Sequence, residues 1–83
     1  MASYLGEFIG TLVFLTIILK SGNDKYVIAL GLLAALLFMG LGHYNPAITF
    51  VDCVSGGCDA KVACGLVAAQ LAGAYLALRV AAL

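Results

Sequence analysis

Eighty-three residues that are 65% hydrophobic and 10% charged, with four basic side chains against four acidic ones, leave room for one domain and little choice of solvent. Soluble domains average about 45–50% apolar and about 25% charged residues, and small ones bury the least of their surface, so a mean hydropathy of +1.17 excludes a water-soluble fold and points to a bilayer. Zero net charge without a Lys/Arg run excludes a nucleic-acid surface, and one His among scattered acids excludes an independent enzymatic centre; no cofactor or metal is expected.

The first apolar segment predicts a helix over about 4–20, interrupted only by Glu7. It has no basic leader and no clear cleavage site before Lys20, so it reads as a retained helix rather than a signal peptide. Lys20-Ser21-Gly22-Asn23-Asp24-Lys25 ends it with charges and turn formers. A second apolar helix follows over about 26–42, and the last runs over about 61–82 with Gln70 and Arg79 as its strongly polar members. Crossing a hydrocarbon core of about 30 Å takes about 20 helical residues, with about 17–25 tolerated. The first two segments sit at the short end of that range. None of the three alternates like a barrel strand, and only helices or closed barrels satisfy the backbone in lipid.

The stretch between the second and last helices is too apolar for an ordinary loop and too short to cross. Asn45 is suited to an N-cap and Pro46 to the first helical position, where a missing N–H costs nothing. The eight residues 46–53 would rise only about 12 Å, roughly half the hydrocarbon thickness. The expected fold is therefore an all-α, multi-pass integral membrane protein. It has three transmembrane helices and, over about 46–54, a re-entrant half-helix carrying Asn45-Pro46-Ala47.

Small residues mark the expected helix contacts: Gly6 and Gly10 in the first helix, and Gly65, Ala69, Gly73 and Ala77 at four-residue spacing in the last. Cys53, Cys58 and Cys64 match no zinc or redox spacing and read as small apolar packing residues. The alternative is a Cys53–Cys58 disulfide across Val54-Ser55-Gly56-Gly57. Lys20, Asp24, Lys25, Asp52, Asp59, Lys61 and Arg79 read as interfacial charges.

Three motifs resemble the aquaporin (major intrinsic protein) family, in that family's order. They are Glu7-Phe8-Ile9-Gly10-Thr11, Gly42-His43-Tyr44-Asn45-Pro46-Ala47-Ile48-Thr49 and Ala69-Gln70-Leu71-Ala72-Gly73-Ala74. Together they span nearly the whole chain and are similar to one repeat of a family that carries two. The resemblance implies residues 1–83 as a single aquaporin-like half repeat and a passive channel for water or small neutral solutes. In it, Asn45 orients passing water, and Glu7 hydrogen-bonds the backbone of the half-helix loop with Gln70 bracing from the last helix. The plainer alternatives are that Glu7 snorkels near the helix end and that Gln70 serves simple interhelical bonding.

Two features depart from the family's pattern. Its selectivity filter places an Arg after the second Asn-Pro-Ala, whereas Ile48 follows the single motif here, and the approach from the second helix to Asn45 is shorter than usual. His43, Ile48 and Leu30 are the pore-lining candidates, with a loop His satisfied by backbone an equal alternative for His43. One half-helix leaves half the membrane without a counterpart, so a pore calls for an oppositely inserted second copy. Lys20, Lys25 and Arg79 on one side, against Lys61 and the amino terminus on the other, give only a weak orientation bias. An antiparallel homodimer is expected, with a non-conducting structural subunit of a larger membrane assembly as the alternative.

Overall fold

The computed structural model describes residues 3–39 and 42–83, and for Phe38 and Met39 the backbone alone. Helix α1 runs Tyr4–Lys20. Ser3 starts it from an extended backbone, its hydroxyl accepting the Gly6 N–H at 2.9 Å. Beyond Lys20, Gly22 at φ 63° and Asn23 at φ 68° form a left-handed turn that reverses the chain. Asp24 then accepts the Tyr26 and Val27 N–H groups on Oδ1, at 2.9 and 3.2 Å, and opens α2, Lys25–Met39. Helix α3 is Pro46–Val54, and α4 is Ala60–Ala81 with Asp59 capping the Val62 N–H at 2.9 Å. Asp24 and Asp59 thus do more than sit as interfacial charges: each satisfies donors that a helix start leaves open.

Two expectations need correction. The second helix was drawn to 42, but Gly42 is already non-helical; residues 40 and 41 lie outside the described residues. Continuing the helix would aim the His43 and Tyr44 N–H groups at carbonyls of the preceding turn, and both instead point to the Glu7 carboxylate at 2.7 Å. Cys53 and Cys58 are joined as a disulfide with Cα atoms 4.4 Å apart, while Cys64 is free and exposed. The pair does not serve as packing thiols because Gly56, at φ 101°, folds the end of α3 back on itself.

Helix α1 lies along α4 and also packs on α2, whereas α3 rests on α4. At the α1–α4 contact a Cβ on Gly73 would come 2.5 Å from the Phe8 carbonyl oxygen and 3.2 Å from the Leu12 nitrogen. Only glycine fits where two backbones approach this closely. A Cβ on Gly10 would strike the Tyr44 ring, so α1 also admits the turn before α3 at a glycine. Gly65 faces the Tyr4 ring and Gly6 the Ser3 hydroxyl, both movable side chains, and Ala69 is half-buried.

Polarity is distributed opposite to that of a soluble fold. Glu7, Thr11, Thr49 and Gln70 are buried, while Leu30, Leu37, Phe50, Val51, Leu71 and Tyr75 are each more than half exposed. Buried polar groups beneath exposed large apolar ones suit hydrocarbon outside, not water. Among the described residues α4, with 22 residues, is the helix long and apolar enough to cross a membrane; α1 has 17 residues and α2 has 15. Gly73→Ala should lower the thermal unfolding midpoint in detergent, followed by circular dichroism. Overpacking of this kind costs about 1–3 kcal/mol, and an unchanged midpoint would contradict the α1–α4 approach.

Candidate functional site

The sequence around Asn45 specifies a helix start. Asn45 is extended, at φ −157° and ψ 124°, its Oδ1 accepts the Ala47 N–H at 2.8 Å, and Pro46 occupies the first turn. This cap fixes the amide's orientation: with Oδ1 turned to Ala47, the Nδ2 donors point away and take no partner among the described residues. Asn45 and Ala47 are exposed, as is Pro46. Pro46 has no N–H, and the Ala47, Ile48 and Thr49 N–H groups are all taken by Asn45, so the Asn45 amide donor pair is what the tip presents, at the positive end of the helix dipole.

That tip is held from behind. Glu7 is 0% exposed, so it does not snorkel, and its two oxygens divide the work. Oε2 accepts the His43 N–H and Oε1 the Tyr44 N–H, each at 2.7 Å. Two successive backbone N–H groups converging on one anion form a nest. Tyr44 adopts φ 55°, a left-handed conformation uncommon for a bulky residue, which persists where its surroundings over-determine it. Its buried ring sits against Gly10 and Gly42.

Gln70 ties this turn to α3 from the opposite helix. Its Nε2 donates to Glu7 Oε1 at 3.0 Å and to Thr49 Oγ1 at 2.8 Å, one hydrogen to each acceptor. Thr49 Oγ1 lies 2.8 Å from His43 Nδ1, and His43 Nε2 lies 3.4 Å from Asp52 Oδ2. A continuous polar chain thus runs Glu7, Gln70, Thr49, His43, Asp52, linking α1, α4 and both ends of α3. His43 is held at Nδ1 by the Thr49 side chain rather than by backbone, and its Nε2 faces the Asp52 carboxylate.

The sequence-based candidates separate into two groups. Asn45, Pro46, Ala47, His43, Glu7 and Gln70 come together around the start of α3. Ile48, 51% exposed, lies one turn along α3, and Leu30, 65% exposed, lies on α2, a helix that does not pack on α3. Thr49 and Tyr44 enter the sequence reading only as members of the motif, and Asp52, read there as an interfacial charge, stands beside His43. Thr49 was legible in principle, as a lone hydroxyl four residues beyond a helix cap in an apolar segment. Nothing in the spacing pairs Asp52 with His43. Asp52, Cys53 and Cys58 also bring their donor atoms within 4.8 Å of one another.

These features define a class: an all-helical protein with a polar interior and apolar exterior, in which a short helix is suspended by its N-terminus from a buried carboxylate. The chain is 38% identical over 91 aligned positions to the Glycerol uptake facilitator protein-like 6 of Lactiplantibacillus plantarum, a match taking in 93% of this chain and 41% of that protein. It spans about two fifths of the length of that curated relative. The aligned span exceeds the stretch of this chain that it takes in, so the relative has residues there that this chain lacks. The similarity supports a relationship to the aquaporin family and, with it, an integral membrane protein. No family model and no solved structure matches the chain.

Glu7→Gln replaces one acceptor oxygen with an NH2 that faces donors. It should speed amide hydrogen exchange at His43 and Tyr44 and destabilise the protein. Leaving a buried N–H unpaired costs about 1–3 kcal/mol, and unchanged protection at both amides would remove Glu7 as the anchor of this turn.

Proposed function

We propose that the chain is one half of a passive membrane channel for water or small neutral solutes, completed by a second copy inserted in the opposite sense. The observation that carries this reading is the exposed Asn45 amide, whose Oδ1 is held by the Ala47 N–H so that its Nδ2 donors face outward at the positive end of α3. In this reading α1, α2 and α4 cross the bilayer, tilted or with local thinning where they are short, and α3 enters partway. Nine residues of α3 rise about 14 Å, so its tip reaches roughly mid-membrane. There the two donors of Asn45 would hold a solute oxygen. The positive helix end would turn away protons and cations, as half-helix dipoles do in aquaporin-type pores.

The same geometry supports pairing. Residues 42–45 are non-helical backbone, and at membrane depth such backbone survives only inside protein or beside a water-filled cavity. A second half set antiparallel would cover it and bring two Asn45 amides to the pore centre. An apolar groove of about 500 Å³ between α3 and α4, lined by Pro46, Phe50, Val67 and Leu71 among others, offers the partner a seat. The relative's name, a glycerol uptake facilitator-like protein, favours small neutral solutes as cargo.

Reconstituted liposomes subjected to osmotic shock test the function. Asn45→Asp keeps the Oδ1 cap for Ala47 but replaces a neutral donor with a charged acceptor. It should reduce solute-independent water flux at least about tenfold, the equivalent of ~1.4 kcal/mol at the barrier. Equal flux in Asn45→Asp would remove Asn45 from the mechanism, and no flux above empty liposomes would leave a non-conducting structural subunit. Orientation is tested separately with Lys20→Cys, at the exposed end of α1, in a Cys64→Ser background. A membrane-impermeant maleimide should label about half the molecules from one side, and labelling of all or none overturns the antiparallel pair.

A further inference from the structure

We propose that, once the Cys53–Cys58 disulfide is reduced, Cys53, Cys58, Asp52 and His43 bind one divalent transition-metal ion of the Zn2+ class at the far end of α3. The carboxylate of Asp52 and the sulfurs of Cys53 and Cys58 lie within 4.8 Å of one another. His43 borders this trio through Asp52, its Nε2 being 3.4 Å from Asp52 Oδ2, and joins as the fourth donor when the freed sulfurs open to admit the ion. That distance is long for an N–H···O bond, whose range is about 2.7–3.2 Å. It equals the separation of two ligands each about 2.1 Å from a tetrahedral ion, which is about 3.4 Å. The ring is also braced as a metal-binding histidine requires, with Nδ1 2.8 Å from Thr49 Oγ1 and that oxygen in turn bonded by Gln70. In the tautomer whose Nδ1–H donates to Thr49, the Nε2 lone pair is available to an ion beside the Asp52 carboxylate.

The backbone is shaped for this closure. Asp52 and Cys53 occupy the last turn of α3, and the Gly57 N–H returns to the Asp52 carbonyl at 2.8 Å, bringing Cys58 alongside. A Cβ on Gly57 would collide with the Asp52 carboxylate, so glycine is what lets the loop approach its donor. Two thiolates, an imidazole and a carboxylate form a four-donor, borderline-soft set that suits tetrahedral Zn2+. The disulfide and the metal exclude each other. A thiol reductant converts the cystine to two thiols as two reductant thiols become a disulfide, and the ion then displaces both protein protons to take two thiolates. Oxidised, neither sulfur has charge to donate.

Cobalt titration of the full chain in detergent, with Co2+ standing in for Zn2+, tests this. Protein reduced with a thiol and then freed of it should show sulfur-to-cobalt charge transfer and tetrahedral visible bands at one ion per chain, both abolished by added Zn2+. Oxidised protein should show neither. Cys53→Ser should lose the charge-transfer band, His43→Gln and Asp52→Asn should each weaken binding about tenfold or more, and Cys64→Ser should leave it unchanged. Absence of the band in reduced wild-type protein would overturn the proposal. So would a band lost in Cys64→Ser but kept in Cys53→Ser, or an affinity indifferent to both His43 and Asp52. The reduced-against-oxidised comparison uses wild-type chain, so a variant that fails to fold does not remove the test.

Discussion

A single buried carboxylate organises this protein. Glu7 is wholly enclosed, and its charge is met by the His43 and Tyr44 N–H groups and the Gln70 amide rather than by a cation. Hydrogen bonds to an ionised acceptor are about twice as strong as neutral ones, and a charge in an apolar interior is costly unless fully bonded. The turn before α3 is therefore locked to α1 with a stringency that van der Waals contact alone would not give. Tyr44's left-handed backbone and the extended Asn45 both follow from it, since the chain must present two consecutive N–H groups to one anion and still begin a helix immediately afterwards.

The same polar core explains why the exterior is so apolar. Helices α1 and α4 meet through small residues, with Gly73 set against the Phe8 carbonyl, and so leave their large side chains on the outside. In hydrocarbon this is the economical arrangement, because lipid tails solvate Leu and Phe as well as a protein core does and association rests on close backbone packing and interhelical hydrogen bonds. The short second helix fits the same picture. Whatever lies beyond Met39, the chain must be at Glu7 by residue 43, and that constraint takes precedence over helical propensity.

The polar chain from Glu7 through Gln70 and Thr49 to His43 and Asp52 joins the two ends of α3. Its inner end sets the turn that aims Asn45; its outer end borders the Cys53–Cys58 pair, where the metal site is proposed. Thr49 stands between them as a hydroxyl shared by Gln70 and His43, so a change in what His43 donates or accepts is felt one bond away from the support of the Asn45 turn. The geometry thus places the Cys53–Cys58 disulfide next to the framework of the proposed pore, although neither proposal requires the other.

Much of this was legible along the chain. Composition chose the solvent, Lys20 to Lys25 marked the first reversal, and Asn45-Pro46 announced a helix start because a capping amide and a proline lacking an N–H suit only that position. Glu7 and Gln70 stood out because polar groups in apolar segments need partners. The residues that depend on folding were not legible. Thr49 is a hub only because α4 brings Gln70 across from twenty-one positions away, and Asp52 reads as a surface charge until the end of α3 sets it beside His43. Cysteine spacing alone left thiols and disulfide open, and Gly56 and Gly57 decided between them by turning the chain back. The sequence by itself determined the environment, the helices and the capped start of α3, because these follow from local hydropathy and backbone chemistry. Which side chain meets which was left to tertiary structure, since a hydrogen bond between residues 7 and 70 depends on how two helices cross, and no local pattern encodes that.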